Sequence, residues 1–167
     1  SARIPNIADD LEKGLAEIKR QSTRLMHLFF PLSIVLMLCS RFLYVYVFNS
    51  NFTYSALIFN IYLLLIIPRV MFPQTVLTGI RHTRYQLLSA VIEIALNAGL
   101  SIYLSSPERL GLAGIAVGTF VAYLFDKLFL LAINRFVFNI PARRYIAIGP
   151  LLAYSVLTVV SFIAGYL

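Results

Sequence analysis

The sequence predicts an all-α integral membrane protein, with five transmembrane helices preceded by an amphipathic helix at the cytoplasmic interface. Hydrophobic residues make up 60% of the chain, charged residues make up 13%, and the mean hydropathy is +0.84. A soluble domain has about half apolar and about a quarter charged residues. The apolar runs are too long for strands and lack the period-two alternation of a β-barrel. Lipid is therefore expected to surround most of the chain.

The apolar runs define the five predicted spans, each near the roughly twenty residues that a helix needs to cross a bilayer. Their ranges are 25–48, 54–79, 85–104, 110–133 and 145–167. Before them, residues 1–24 form a polar segment in which apolar residues recur at helical spacing, which is typical of a helix lying on a membrane surface. The predicted organisation is this amphipathic helix followed by a five-span bundle over 25–167.

Basic residues are distributed unevenly over the predicted loops, and Lys and Arg collect on the cytoplasmic side of membrane proteins. Ten of the 14 lie on one side: Arg3, Lys13, Lys19, Arg20, Arg24, Arg81, Arg84, Arg135, Arg143 and Arg144. The opposite loops contain Arg109 alone, and Arg41, Arg69 and Lys127 lie inside spans. The N-terminus is therefore predicted to be cytoplasmic. The net charge of +7 indicates topology and attraction to membrane lipids, with no nucleic acid as partner.

The sequence contains no catalytic or metal-binding constellation. His27 and His82 lie at the predicted cytoplasmic edge without a neighbouring Cys or carboxylate cluster, and Cys39 stands alone in an apolar run. A phosphate-binding loop motif is also absent from the sequence. We therefore predict a protein that is not an enzyme and that uses neither a metal nor a cofactor.

Ionisable residues inside the spans are the strongest functional signal, because a charge at a helix centre costs about 2.5–3.5 kcal/mol on insertion scales. With a rise of about 1.5 Å per residue, Arg69, Glu93 and Asp126 lie about 15, 13 and 12 Å from the cytoplasmic ends of their spans. Arg41 lies nearer the outer side. Two interpretations are open: Arg69 and Glu93 form an ion pair in a dry bundle, or the arginines line a water-filled cavity that binds an anionic group. Arginine suits phosphate and pyrophosphate.

Asp126 has two readings of its own. It binds a coupling cation, or it is a structural partner of Lys127 or of neighbouring backbone. Lys127 follows it directly, so its side chain leaves the helix about 100° away, and a long lysine in a span can also extend to the nearest interface.

Prolines and small residues complete the pattern. Pro68 and Pro73 each lack a backbone donor, so the helix around 67–74 is predicted to be kinked or partly unwound, as in secondary transporters whose broken helices line the substrate site.

Gly114, Gly118 and Ala122 form a stripe of small residues at four-residue spacing, which allows close approach of another helix. We interpret this stripe as a packing face.

Several segments, in this order, resemble the C-terminal half of the polysaccharide flippases of the multidrug/oligosaccharidyl-lipid/polysaccharide (MOP) superfamily, the Wzx-like exporters of lipid-linked oligosaccharides. The segments are RIPNIADD (3–10), LFFPLSIVL (28–36), VFNSNFTYSALIFNIYLLL (47–65), VLTGIRHTRYQLLSAVIEIALNAGLSIYL (76–104) and LGLAGIAVGTFVAYL (110–124). Together they extend over essentially the whole chain.

The resemblance implies that the five spans are part of the C-terminal lobe of a two-lobe transporter bundle, whose N-terminal lobe would be a partner missing from this fragment. It implies a flippase of undecaprenyl-pyrophosphate-linked glycans in the bacterial inner membrane, which serves cell-surface polysaccharide biosynthesis. Arg69 and Arg41 would then meet the pyrophosphate, and Glu93 would hold Arg69 when the site is empty. The alternatives are a drug/cation antiporter of the same superfamily and a non-transporting membrane scaffold.

Overall fold

The computed structural model describes residues 7–47, 51 and 53–165, and the side chains of residues 7–9 and of Arg41 lie outside that description. Every regular element in the described part is helical. The helices are α1 (Ile7–Val47), α2 (Thr53–Leu63), α3 (Ile66–Arg69), α4 (Pro73–Gly79), α5 (Arg84–Leu104), α6 (Leu112–Phe136) and α7 (Ile148–Ala164), with a 3₁₀ turn at Ala142–Arg144. The all-α class is confirmed.

Four stretches of the described chain are long and apolar enough to cross a membrane: Asp10–Ser40, Thr53–Gly79, Arg84–Leu104 and Leu112–Phe136. They correspond to the first four predicted spans. The fifth predicted span, 145–167, contains an apolar helix of only 17 residues, Ile148–Ala164. Several helices are therefore compatible with a membrane-embedded protein, while the count of five stays a prediction.

Helix α1 is continuous from the polar segment into the first predicted span, so the predicted boundary at residue 24 does not coincide with a helix end. Its 41 residues reach about 60 Å at 1.5 Å per residue, about twice the hydrocarbon thickness of a bilayer. Its polar N-terminal part must therefore extend beyond the hydrocarbon. Its buried positions recur at helical spacing and are Leu15, Ser22, Met26, Phe30, Ser33, Met37 and Ser40.

The second predicted span is interrupted where its prolines predict. Helix α3 ends at Arg69 and α4 begins at Pro73, with non-helical backbone at Met71 and Phe72. Proline has no N–H to donate and disfavours helical backbone in the residue before it, so the break falls directly in front of Pro73. Two carbonyl groups beside the break accept hydrogen bonds from side chains: Ser22 Oγ donates to Val70 O, and Asn134 Nδ2 donates to Pro73 O at 3.2 Å.

Helices α5 and α6 form a closely packed hairpin. A Cβ atom at Gly114 would lie 2.2 Å from the Leu104 carbonyl oxygen, and one at Gly118 would lie 3.0 Å from the Ser101 nitrogen. Ala122, the third member of the predicted small-residue stripe, is fully buried. Only the absence of larger side chains allows the two backbones to come this close.

Two further contacts hold the bundle together. At one end, Tyr54 Oη donates to Leu110 O and accepts from Ala113 N, both at 2.7 Å, around Gly111, whose φ of +59° favours glycine. On the other side of α1, the rings of Phe30 and Tyr154 stack with centroids 5.1 Å apart. Helices α2 and α7 are thereby fixed to α6 and α1, respectively.

The hairpin contact gives a first prediction. Gly114→Ala is expected to lower the free energy of unfolding by about 1–3 kcal/mol, because the new methyl group overlaps the backbone of Leu104. Thermal unfolding of the purified protein in detergent, followed by circular dichroism, measures the change.

Gly99→Ala is the matched control, because Gly99 is also helical and nothing lies within 4 Å of its Cβ position. This variant is expected to keep or raise stability, since alanine favours a helix over glycine by about 1 kcal/mol. Equal stability of the two variants would contradict the close α5–α6 contact.

Candidate functional site

A buried ion pair lies at the junction of α4, α5 and α6. Asp126 and Lys127 are 7% and 5% exposed, and they are the charged residues that the described part of the chain buries. Lys127 Nζ lies 3.5 Å from Asp126 Oδ2 and donates to Gln74 Oε1 at 3.1 Å. The lysine therefore does not extend to an interface: its amine is held between its own helix and α4.

Helix α5 supplies the second partner of Asp126. Ser89 Oγ donates to Asp126 Oδ1, so the two carboxylate oxygens are bound by different groups. Glu93 lies one helical turn after Ser89 on the same face of α5 and is half-buried. We call Glu93, Asp126 and Lys127 the charged layer.

The position of Gln74 depends on hydrogen bonds between α4 and α5. Gln86 Nε2 donates to Gln74 O at 2.6 Å and to Thr78 Oγ1 at 2.8 Å. Thr78 Oγ1 in turn donates to Gln74 O at 3.0 Å. The first turn of α4 is thereby tied to the first turn of α5, and the Gln74 side chain points to the ion pair.

Arg69 joins the layer through an aromatic ring. Its guanidinium carbon lies 5.9 Å from the centroid of Tyr123, and Lys127 Nζ lies 5.1 Å from the same centroid. Cations within about 6 Å of a ring centroid are attracted by its quadrupole. Arg69 is nevertheless exposed, so the Tyr123 ring contacts one accessible cation as well as the buried Lys127.

The predicted ion pair of Arg69 with Glu93 is not formed among the described residues. Arg69 is the last residue of α3, directly before the break, and its side chain meets α6 at Tyr123. The interpretation in which Glu93 holds Arg69 therefore has no contact to support it.

The other predicted site residues are placed as follows. Asp126 is in the layer, and Pro68 and Pro73 flank the break that positions Arg69 and Gln74. The backbone of Arg41 belongs to α1, but its side chain lies outside the described residues, so its role in a cavity stays a prediction. Among the described residues, no group of His, Cys, Asp and Glu could hold a metal ion.

The charged layer lies near the middle of the α5–α6 hairpin. Glu93 is nine residues from the start of α5, and Asp126 is ten residues from the end of α6, which corresponds to about 14–15 Å in each case. Charged groups at such a depth are expected to face the bundle interior or a water-filled cavity.

A polar stripe continues along α5 beyond the charged layer. Ser89, Glu93, Asn97 and Ser101 recur every four residues and so share one helix face. Asn97 Oδ1 accepts hydrogen bonds from Ser101 Oγ at 3.0 Å and from Thr119 Oγ1 of α6 at 3.3 Å. The stripe covers about 18 Å along the helix and gives the contact between α5 and α6 a polar component over much of its length.

Sequence reasoning missed Ser89, Gln74 and Tyr123 as members of the site. Two signals could have found the first and the third: Ser89 is four residues before Glu93, and Tyr123 is four residues before Lys127, so each pair shares a helix face. Gln74 could not be found in this way, because it follows the break and helical spacing does not continue across it.

No protein family model matches the chain, and no curated protein or solved structure matches it. Function is therefore inferred from the residues of the site and from the helices that position them.

The buried pair gives a second prediction. Lys127→Met is expected to lower the free energy of unfolding by about 3–5 kcal/mol, because it leaves the Asp126 carboxylate buried without its cation. Unfolding in mixed detergent micelles, followed by circular dichroism, measures the change.

The double variant Asp126→Asn/Lys127→Met is the control, because it removes both charges and leaves none uncompensated. The free energy of unfolding is expected to fall clearly less in this double variant than in Lys127→Met. Equal losses would show that the two charges do not stabilise each other.

Proposed function

We propose that this chain is part of the C-terminal lobe of a membrane transporter that exports an undecaprenyl-pyrophosphate-linked oligosaccharide across the bacterial inner membrane, for cell-surface polysaccharide biosynthesis. The observation that carries the proposal is the accessible Arg69 beside the buried Asp126–Lys127 pair, at the end of an interrupted helix and near the middle of the adjacent hairpin.

The accessibility of Arg69 is the first support. A guanidinium at membrane depth is not stable against lipid tails, so it faces water, a paired charge or another protein segment. Among the described residues Arg69 has the Tyr123 ring beside it and no ion-pair partner within 4 Å. Its donors suit a bidentate contact with a phosphate or pyrophosphate, which is the charged part of the proposed substrate.

The interruption between α3 and α4 is the second support. Broken helices at membrane depth occur where backbone is buried in protein or lines a substrate or ion site. Here the backbone of the break is buried and its carbonyls at Val70 and Pro73 are bound by Ser22 and Asn134. What the break supplies is position: it places the exposed Arg69 at a helix end and brings Gln74 to the ion pair.

The proposed mechanism needs a second lobe. The exposed Arg69 and the half-buried Glu93 are proposed to border one wall of a cavity, and the N-terminal lobe of the same protein would form the other. The pyrophosphate of the substrate binds at Arg69, and rocking of the two lobes exposes it to the periplasmic leaflet. Asp126 and Glu93 are proposed to exchange a coupling proton or cation during this cycle, with Lys127 as the counter-charge.

A second candidate is a drug/cation antiporter with the same architecture. It is favoured by the two carboxylates, Glu93 and Asp126, near the middle of the same hairpin, because two carboxylates can bind a cationic solute. The exposed Arg69 weakens this candidate, since a second cation in the layer would repel a cationic solute. A drug-efflux assay on the same strains separates the two functions.

A third prediction tests the flippase. Arg69→Ala in the full-length parent is expected to lower glycan export by about tenfold to a hundredfold, because hydrogen bonds to charged groups contribute about 1.5–3 kcal/mol. Arg69→Lys is expected to keep part of the activity, since it retains the charge and loses the planar fork. Surface glycan is measured in a flippase-deficient bacterium, with membrane protein levels equalised.

Arg135→Ala is the matched control, because Arg135 is exposed in the last turn of α6, away from the charged layer. It is expected to export normally. Full export by a well-inserted Arg69→Ala protein would overturn the proposed role of Arg69, and failure of the unmodified parent to restore export would overturn the flippase itself.

A further inference from the structure

A basic pocket lies where the N-terminal part of α1 meets the 3₁₀ turn between α6 and α7. Its volume is about 460 Å³, and its walls include Lys13, Lys19, Arg143 and Arg144. Glu12 is the acidic residue among its lining residues. Four basic side chains against one carboxylate give this pocket a clear positive charge.

Two contacts preform the pocket. Lys19 Nζ donates to the backbone oxygen of Arg143 at 3.1 Å, and Arg144 Nη2 lies 3.7 Å from Glu12 Oε1. The latter pair is long, and its carboxylate side chain is 72% exposed, so it neutralises little of the local charge. Both contacts join α1 to the 3₁₀ turn, and they fix the side chains of Lys19 and Arg144 before any ligand binds.

The pocket lies beyond the ends of the helices that carry the charged layer. The 3₁₀ turn, Ala142–Arg144, belongs to the connection between the end of α6 at Phe136 and the start of α7 at Ile148. On α1, Ser22 contacts the interrupted helix at Val70. The pocket residues of α1 lie three to ten residues before Ser22, which corresponds to about 5–15 Å along the helix axis. The pocket therefore lies on the predicted cytoplasmic side of the interrupted helix, in the polar N-terminal part of α1.

The floor of the pocket is apolar. Leu15 is 2% exposed, and Ala16 lies beside it on the same helix turn. A ligand that fits has an anionic group for the basic walls and an apolar part for the floor. Anionic phospholipids have this composition, and basic pockets between transmembrane helices on the cytoplasmic side bind their headgroups.

We infer that the pocket formed by Lys13, Lys19, Arg143 and Arg144 is a binding site for the phosphate headgroup of an anionic phospholipid. The bound lipid fastens the polar end of α1 to the α6–α7 connection. The site shares no residue with the charged layer and does not depend on the proposed transport function.

The test uses the purified full-length protein in neutral detergent, with thermal unfolding measured against added lipid. Phosphatidylglycerol is expected to raise the unfolding midpoint more than phosphatidylcholine or inorganic phosphate does. In Lys13→Gln/Arg143→Gln the apparent affinity for phosphatidylglycerol is expected to fall about 30-fold, since each basic residue at an anionic surface contributes about fivefold. This variant keeps the Lys19 hydrogen bond and the Glu12–Arg144 pair.

Arg24→Gln/Arg135→Gln is the charge-matched control, because both residues are exposed and neither lines the pocket. Its affinity for phosphatidylglycerol is expected to stay within about twofold of that of the unmodified protein. The reason is that only a residue in contact with the lipid contributes about fivefold, and these two residues are outside the pocket. If both double variants lost the same affinity for phosphatidylglycerol, the loss would be explained by the overall charge of the protein, and the proposed site would be overturned. An equal response to inorganic phosphate, or no preference over phosphatidylcholine, would overturn the lipid assignment.

Discussion

The burial of Asp126 and Lys127 is the constraint on which the centre of this structure depends. Taking two charges out of water costs more than their mutual attraction returns, unless further hydrogen bonds satisfy their remaining donors and acceptors. Adjacent residues of one helix cannot supply those bonds to each other. The partners come from two other helices, Ser89 on α5 and Gln74 on α4, so the pair dictates how three elements must meet.

Each of these meetings has a local cause in the sequence. Ser89 reaches Asp126 because the glycines of α6 let the α5 and α6 backbones approach. Gln74 reaches Lys127 from the first turn of α4, the new helical segment that begins at Pro73. The small-residue stripe and the proline break, which look like unrelated packing features in the sequence, therefore support the same ion pair.

The sequence predicts more of the helices than of the site. Long apolar runs and the two prolines locate the later helices within a few residues, and they locate the interruption. The boundary at residue 24 is different, because α1 continues through it from Ile7 to Val47. The layer of Glu93 and Asp126 also follows from helical rise alone. Which side chains touch does not: the sequence leaves Arg69 compatible with Glu93 and with a cavity, because the packing of the end of α3 against α6 sets where its side chain points. Contacts across a break depend on tertiary packing, which residue spacing does not encode.

The surface of the α5–α6 hairpin shows why the chain needs water or a second protein segment on one side. Leu87, Val91, Ile94 and Ile102 of α5 are exposed and apolar, as expected for a face in contact with lipid. The face that carries Ser89, Asn97 and Ser101 turns toward α6, where it meets Asp126, Thr119 and Gly118. Its polar groups are therefore satisfied mostly within the hairpin. Glu93 on the same face is only half-buried, and Arg69 is exposed. Lipid cannot solvate these two side chains without leaving charges unpaired in hydrocarbon, so they are stable only where they border water or another protein segment. These two residues, and not the polar stripe as a whole, are therefore what the hairpin leaves for a further partner to satisfy.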